Sequence, residues 1–397
     1  MGKYVDLFVN EDNARAYMEN EKQEYLRKTP LTVKEVEGGI ILPAKGDSSV
    51  SWALGGVLDK EGHFVKESQT RDGHLFGGFY DYDKQSVQEC DETVVFMGPF
   101  VAHWGHFICD QISRLWFILP DVKKLRIAYC GWNWGNEQTS LWGNFLEFMY
   151  LLGLSEDQLI DVRKPMQFRS VIIPEFSYIE RNYYTEDFKD IYRTIVSNIN
   201  VPDITPYSHV YFTRGKFSAA LNKERGEEEI EALFAANGYK VLAPEQLTLS
   251  EQIYYLRNCD SMAAVSGSIT HNLLFAKEGQ KVIVLNKMEL MNGYQMVIDN
   301  IMDVKISCID VYVKLFPVCF GLGPFLMGFN GNLKRFAKEK DMIIPRNLQF
   351  NIKTIKNYIW YFLKFARIYA KKHNRKMLIS QQNSVRIIKE EIRARNI

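Results

Sequence analysis

Apolar positions along this chain follow two rhythms, and the change from one to the other marks its organisation. Residues 1–30 are polar and predict a helical lead-in. From about 31 to 95, short β-rich pieces alternate with glycine turns at Gly38-Gly39, Gly55-Gly56 and Gly77-Gly78. From about 93 to 199, strands are separated by helices. Residues 93–97, 125–130 and 171–173 read as strands, and 104–119 as a helix with one apolar face. Pro202 and Pro206 then punctuate a linker. Beyond it the alternation is regular. Strands are expected at 209–213, 239–242, 261–265 and 281–285, and helices at 227–237 and 250–258, the latter with Ser250 as its N-cap. A further helix is expected to start at 271–276. Strand–helix alternation of this kind predicts an α/β fold with parallel, doubly wound sheets. The expected organisation is two such domains facing across a cleft, 1–200 and 205–310, followed by a helical, basic tail over 311–397.

Charge sharpens that division. The formal net charge of the 397 residues is only +1, yet residues 351–397 hold twelve Lys/Arg against two Glu. The tail therefore carries +10 and the preceding 350 residues −9. A basic tail on an acidic body points to an anionic partner, a membrane surface or a nucleic acid. The six cysteines (Cys90, Cys109, Cys130, Cys259, Cys308, Cys319) are scattered, with no C-x-x-C pair. Several sit in apolar runs, such as Val318-Cys319-Phe320, and read as reduced core residues rather than a disulfide framework or zinc site. The N-terminus is too charged for a signal peptide, and Asp6 stands where a myristoylation signal needs Ser or Thr. The longest uncharged stretch, 315–329, is broken by Pro317, Gly321, Gly323 and Pro324 and cannot span a bilayer. A soluble or membrane-peripheral, cytoplasmic protein is expected.

Three constellations could carry chemistry. In Gly98-Pro99-Phe100-Val101-Ala102-His103-Trp104-Gly105-His106-Phe107-Ile108-Cys109-Asp110, His106 and Asp110 are four apart and share a helix face just after a strand. Such a pair can supply a general base; a His at the core edge bonded to a neighbouring Asp would look the same. Thr213-Arg214-Gly215-Lys216 places two cations where the chain leaves a strand, so Arg214 and Lys216 could meet a diphosphate. Val265-Ser266-Gly267-Ser268-Ile269-Thr270-His271-Asn272 is a strand-to-helix turn of small polar residues. Its N–H groups, with Ser268, Thr270, His271 and Asn272, could cradle phosphate. Glu227-Glu228-Glu229 fits the first turn of a helix, where negative charge is favourable. No G-x-x-x-x-G-K-[ST], G-x-G-x-x-G or H-E-x-x-H is present, and Asp81-Tyr82-Asp83 lies outside the regular alternation. No metal or cofactor is expected.

In order, these segments resemble glycosyltransferase family 61. The family pattern W-G-H-F-x-x-D-x-x-x-R-L-W stands here as Trp104-Gly105-His106-Phe107, Asp110 and Arg114-Leu115-Trp116. Thr213-Arg214 takes the place of the family's Ser/Thr-Arg, and Gly226-Glu227-Glu228-Glu229-Ile230 that of its N-E-x-E-L helix start. Gly267, Asn272, Phe275, Gly279, Val282 and Ile283 follow its last turn and strand, so the resemblance covers about 93–286. Two positions depart: Ser266-Gly267-Ser268-Ile269 replaces H-G-A-G, and Gly226 replaces Asn. The resemblance implies a GT-B fold and metal-independent, inverting transfer from a nucleotide sugar, UDP-linked by expectation, to a glycan or lipid-linked oligosaccharide in capsular or surface polysaccharide synthesis. With the residue reading above, it leads to the expectation of a base at His106 or Asp110, and of donor contacts at Arg214, Lys216, Gly267, Ser268, Thr270, His271 and Asn272.

The segment IKTIKNYIWYFLKFARIYA (352–370) is aromatic and basic, and reads either as a helix packed on the body or as one lying on anionic lipid. Two rival functions keep the fold and change the activity: a nucleotide-sugar epimerase, which needs no acceptor, and a binding protein without turnover. A nucleic-acid partner fits poorly with the acidic body and the lack of a recognition motif.

Overall fold

The computed structural model describes residues 4–47, 50, 52–70, 75–133, 139–201, 203–318, 321–348 and 352–394. Pro202 of the expected linker and the Cys319-Phe320 part of the apolar run lie outside them. The chain divides into two units: Tyr25–Asn200, and Met1–Glu24 together with Val201–Ile397.

The 25–200 unit is built on a seven-stranded mixed sheet. Gln88–Val101 is its central long strand, parallel to Arg126–Trp132 on one side and to Met166–Pro174 on the other. Val33–Glu37 and Ile40–Lys45 join Met166–Pro174 antiparallel, and Leu54–Leu58 pairs antiparallel with Ile40–Lys45. This half is therefore not the wholly parallel sheet that the alternation predicts, because the β-rich start supplies hairpin-like partners. Val94, Phe96, Val101, Ala128, Cys130 and Val171 form its core with Trp52 and Phe76.

The other unit holds a six-stranded sheet whose pairings are all parallel, in the order Tyr4–Phe8, Lys305–Asp310, Lys281–Asn286, Ser261–Val265, His209–Phe212, Lys240–Leu242. The interior strand Ser261–Val265 is buried at every position, as expected of a parallel strand covered on both faces. From the His209 strand the chain moves outward to Lys240, then returns past its start to Ser261. The strand order reverses between His209–Phe212 and Ser261–Val265, and open α/β sheets bind ligands at the carboxyl ends of strands beside such a reversal.

Three local expectations need correction. The lead-in is not wholly helical: Tyr4–Phe8 is a strand, and the helix is Glu11–Lys22. By pairing with Lys305–Asp310, that strand completes the edge of the later sheet, so residues 1–24 fold with 201–397. The helix at 249–258 is capped by Thr248 rather than Ser250. The Thr248 hydroxyl accepts from Glu251 N–H while the Glu251 carboxylate accepts from Thr248 N–H, a reciprocal capping box. The helix expected over 104–119 is broken into three pieces. A turn of α-helix at Trp104–His106 widens into a π turn at Phe107–Gln111, and a 3-10 stretch follows at Leu115–Lys124.

The tail is two helices, Ile352–Ala370 and Lys372–Ala394. The second packs on the helix Glu11–Lys22, with the Arg393 guanidinium donating to Asp12 at 2.8 and 3.0 Å and Lys389 pairing with Asp12 and Glu289. Part of the tail's positive charge is thus matched by the acidic body. No helix among the described residues is long and apolar enough to cross a membrane.

Candidate functional site

Two clusters emerge, one in each unit. In the 25–200 unit, Gln111 closes the strand-to-turn junction: its side-chain amide donates to Val101 C=O at 3.2 Å and its oxygen accepts from Val101 N–H at 3.1 Å. Ile108 C=O, released by the π turn, accepts from the buried Tyr192 hydroxyl. Widened helical turns of this kind re-aim side chains, often at functional sites. Here the turn leaves His106 Nδ1 2.9 Å from Asp110 Oδ2, with the imidazole one-quarter exposed and the carboxylate about one-tenth. The His106 ring meets Trp52 edge-on at 5.0 Å and lies 4.6 Å from the His103 ring. Bonded through Nδ1 to a carboxylate, such an imidazole presents Nε2 as its proton acceptor.

Arg114 and Trp116, later in this motif, make structural contacts. Arg114 is fully buried; Nε donates to Pro174 C=O and Nη2 to Glu67 C=O, while the guanidinium lies 4.0 Å from the Phe176 ring centroid. Burial pulls its pKa down to about 9. Trp116 donates its indole N–H to Glu175 C=O at 2.9 Å. Arg114 and Trp116 therefore tie the turn to the end of the Met166–Pro174 strand.

The second cluster sits at the strand-order reversal. Arg214 follows the His209 strand, and its Nε and Nη2 form a fork on Glu224 at 3.1 and 3.0 Å. Lys287, directly after the Lys281–Asn286 strand, places Nζ 2.7 Å from the same carboxylate. Arg214 Nη1, outside that fork, faces the turn after Ser261–Val265: a Cβ on Gly267 would lie 2.8 Å from Nη1 and 3.7 Å from Lys287 Nζ. A side chain there would press on the Arg214 guanidinium, and with glycine the main chain approaches the two cations directly.

The electrostatics follow from burial. Burial pushes the Glu224 carboxyl up, but Lys287 and Arg214 outweigh it and hold the group at about 2. Lys287 is brought down to about 8 by burial and by Arg214, against the pull of Glu224. Glu227, buried at the start of the helix Glu227–Ala236, is raised to about 7, chiefly by burial, although Arg214 N–H donates to it at 3.0 Å. Two cations thus share one carboxylate, leaving an excess of positive charge beside the Gly267 main chain.

The other expected donor residues behave differently. Lys216 does not join the Glu224 cluster; its ammonium donates to Gln246 at 3.3 Å on the exposed side. Ser268 opens the 3-10 turn Ser268–Phe275, in place of the helix expected at 271–276. Thr270 is buried and donates its hydroxyl to Gly267 C=O at 2.8 Å, which shapes the turn from within. Asn272, also buried, donates to Gln252 at 3.1 Å and anchors the turn to a neighbouring helix. The buried His271 ring lies 5.9 Å from that of Tyr294. Thr270, His271 and Asn272 therefore hold the turn in shape, while Gly267 and Ser268 form its leading edge. Lys287 and Glu224 escaped the sequence reading, although a lysine directly after a strand at the carboxyl end of a parallel sheet was a usable signal.

Gly226 also acquires a reason. Its φ is +96°, and a Cβ there would lie 1.7 Å from Met327 C=O. An Asn could not occupy that backbone position without moving the strand Phe325–Leu326, which pairs with Glu224–Arg225. As for metals, Asp59, Glu61 and His63 bring ligand atoms within 4.8 Å of one another on a partly exposed turn, away from both motif-bearing segments in sequence.

Residues 104–283, from the tryptophan ahead of the His106 turn to the strand before Lys287, match the family model Glycosyltransferase 61. This region belongs to glycosyltransferase family 61. No curated protein matches the chain. The family-61 region takes in His106, Asp110, Arg214, Glu224 and the Gly267 turn, and stops four residues short of Lys287. Glycosyl transfer, with a sugar donor and a glycan acceptor, is the activity the family implies.

Proposed function

We propose that the protein is an inverting glycosyltransferase of GT-B type, taking its sugar from a nucleoside-diphosphate donor and acting in surface-polysaccharide assembly at the inner face of the cell membrane. The observation that carries the reading is the gathering of Arg214 and Lys287 on Glu224 against Gly267, at the strand-order reversal of a parallel sheet. A diphosphate arriving there meets a guanidinium nitrogen, an ammonium and main-chain N–H groups. Those cations supply the countercharge a leaving diphosphate requires, which supports a mechanism without a metal ion.

The reaction also needs a base for the acceptor hydroxyl, and the candidate is the His106–Asp110 pair of the 25–200 unit. The His106 imidazole, oriented by Asp110, takes the proton of an acceptor hydroxyl, with direct action by Asp110 as the alternative. The hydroxyl oxygen then attacks the anomeric carbon from the face opposite the diphosphate. As the new glycosidic bond forms, the bond from the anomeric carbon to the diphosphate oxygen breaks. The nucleoside diphosphate leaves as an anion held by Arg214 and Lys287, and the anomeric configuration inverts.

The first test is calorimetric titration with UDP, GDP, CDP and CMP, followed by their sugars. One nucleoside diphosphate should bind, with UDP expected. Arg214→Ala should abolish that binding and lower kcat/KM by about 100-fold or more, the scale of losing one charged transition-state contact. His106→Ala should bind donor normally and lose turnover. Near-normal turnover in Arg214→Ala would remove the Glu224 cluster from the mechanism.

A further inference from the structure

The helix Ile352–Ala370 is amphipathic in an unusual sense, because its polar face is turned inward. Thr354 donates its hydroxyl to Glu229 at 2.7 Å, and Asn357 its amide to Glu228 at 2.6 Å. One turn further on, the buried Tyr361 donates to Phe316 C=O at 3.2 Å, and Phe365 stacks on the Phe316 ring at 4.6 Å. Arg225 lies over the Trp360 ring at 4.2 Å. The glutamate run at 227–229 therefore does more than fill a first helical turn: two of its carboxylates form the socket for this helix.

With that face occupied, the apolar residues are left outside. Ile352, Ile355, Ile359, Phe362 and Leu363 are 69, 43, 55, 57 and 50% exposed. At roughly 100° per residue they fall within an arc of about 100°, on the far side of the helix from Tyr361. Lys356 and Arg367 border this stripe on one side and Lys353 lies next to them, and the helix contains no acidic residue. A contiguous exposed apolar surface rimmed by charge of one sign marks an interaction site. The charge also selects the occupant. A second copy of the chain, meeting this face with its own, would bring lysine against lysine. A bilayer with anionic headgroups offers hydrocarbon to the stripe and negative charge to its border.

We propose that Ile352–Ala370 is a membrane-docking helix, lying in the plane of an anionic bilayer with Ile352, Ile355, Ile359, Phe362 and Leu363 inserted and Lys356 and Arg367 at headgroup level. This goes beyond the transferase reading and stands whether or not that reading survives, since it rests on no residue of either cluster. Docking in this orientation would confine the protein to the surface on which a lipid-borne acceptor diffuses.

The test is co-flotation of the full chain with vesicles of phosphatidylcholine alone or with about 30% phosphatidylglycerol, at low and high salt. Binding is expected to the anionic vesicles only, weakened but not abolished by salt. The variant Ile359→Ser with Phe362→Ser should bind at least about tenfold more weakly, since each inserted side chain contributes to the partition. Lys356→Gln with Arg367→Gln should weaken binding and reduce its salt dependence. All four positions are solvent-facing or border the stripe, and matching thermal melts separate lost binding from lost fold. Absence of binding to anionic vesicles overturns the proposal, as does equal binding by the Ser variant. A concentration-dependent dimer by light scattering that the Ser variant abolishes, with no vesicle binding, would overturn it in favour of a second copy.

Discussion

On the proposed function, Lys287 sets a pH limit on donor binding through a single side chain. With its pKa brought down to about 8, its ammonium is charged at pH 7 and neutral well above 8. A diphosphate prefers the charged form, so donor affinity should fall as pH rises through about 8, and Lys287→Gln should bind weakly with a flatter profile. Titration calorimetry between pH 6.5 and 9.5 reads both effects. For folding, the sign is opposite. The unfolded lysine stays protonated up to about its ordinary 10.5, so between 8 and 10.5 it holds more protons than the folded one, and this site gains stability as pH rises. Glu224 works at the acid end. Its folded pKa of about 2 lies below the ordinary 4.5, so its contribution is complete above 4.5 and is lost as pH falls towards 2. Sequence alone singled out Arg214, because an arginine following a β-rich run is a visible signal, and the structure places it on Glu224. Sequence missed Glu224 and Lys287 because their roles come from convergence. Glu224 stands in a charged stretch with no pattern of its own, and only the parallel pairing of Ser261–Val265 with Lys281–Asn286 brings Lys287 to the same end of the sheet. The turn-internal bonds of Thr270 and Asn272 were not legible either, since the side chains that shape a turn and those that line it are the same residue types.

At the scale of elements, the four strands between 209 and 286 were legible almost residue for residue, because buried parallel strands are continuous apolar runs bounded by polar turns, whereas Lys305–Asp310 was not foreseen. The π turn at Phe107–Gln111 was not, since its cause lies elsewhere: Tyr192 and Gln111 bonding to the main chain around it. Nor was the Tyr4–Phe8 strand, five residues long and next to a strongly charged helix. What secures that strand is a buried network at its end. Asp310 accepts from Asn10 N–H at 2.7 Å, from the Asn13 amide at 3.1 Å and from the Asn286 amide at 2.6 Å. Asp310→Ala would leave these donors without an acceptor and should cost about 2–4 kcal/mol in a urea melt. Asp310→Asn keeps an acceptor oxygen and should cost less.

For the whole molecule, the decisive contact is between the two ends of the sequence rather than within either half. Removing residues 1–24 would strip the Lys305–Asp310 strand of its neighbour and the Lys372–Ala394 helix of Asp12. Hydrogen exchange should then rise in Lys305–Asp310 and Lys372–Ala394 and stay unchanged in the Gln88–Val101 strand. Equal protection throughout would mean the edge strand contributes little. The sequence placed residues 1–200 in one body because neighbours in sequence usually fold together; a single parallel pairing across three hundred residues leaves no periodic signature.

That pairing also has a history on the ribosome. Tyr4–Phe8 is made before its partner Lys305–Asp310, which follows about 300 residues later, an interval of roughly 15–60 s at ordinary elongation rates. Throughout it, residues 25–200 can fold while the first strand waits with its hydrogen-bonding edge open. A strand in that position is open to chaperones and to the same strand on neighbouring nascent chains. Its brevity and the charged helix behind it limit the open edge that such pairing would need.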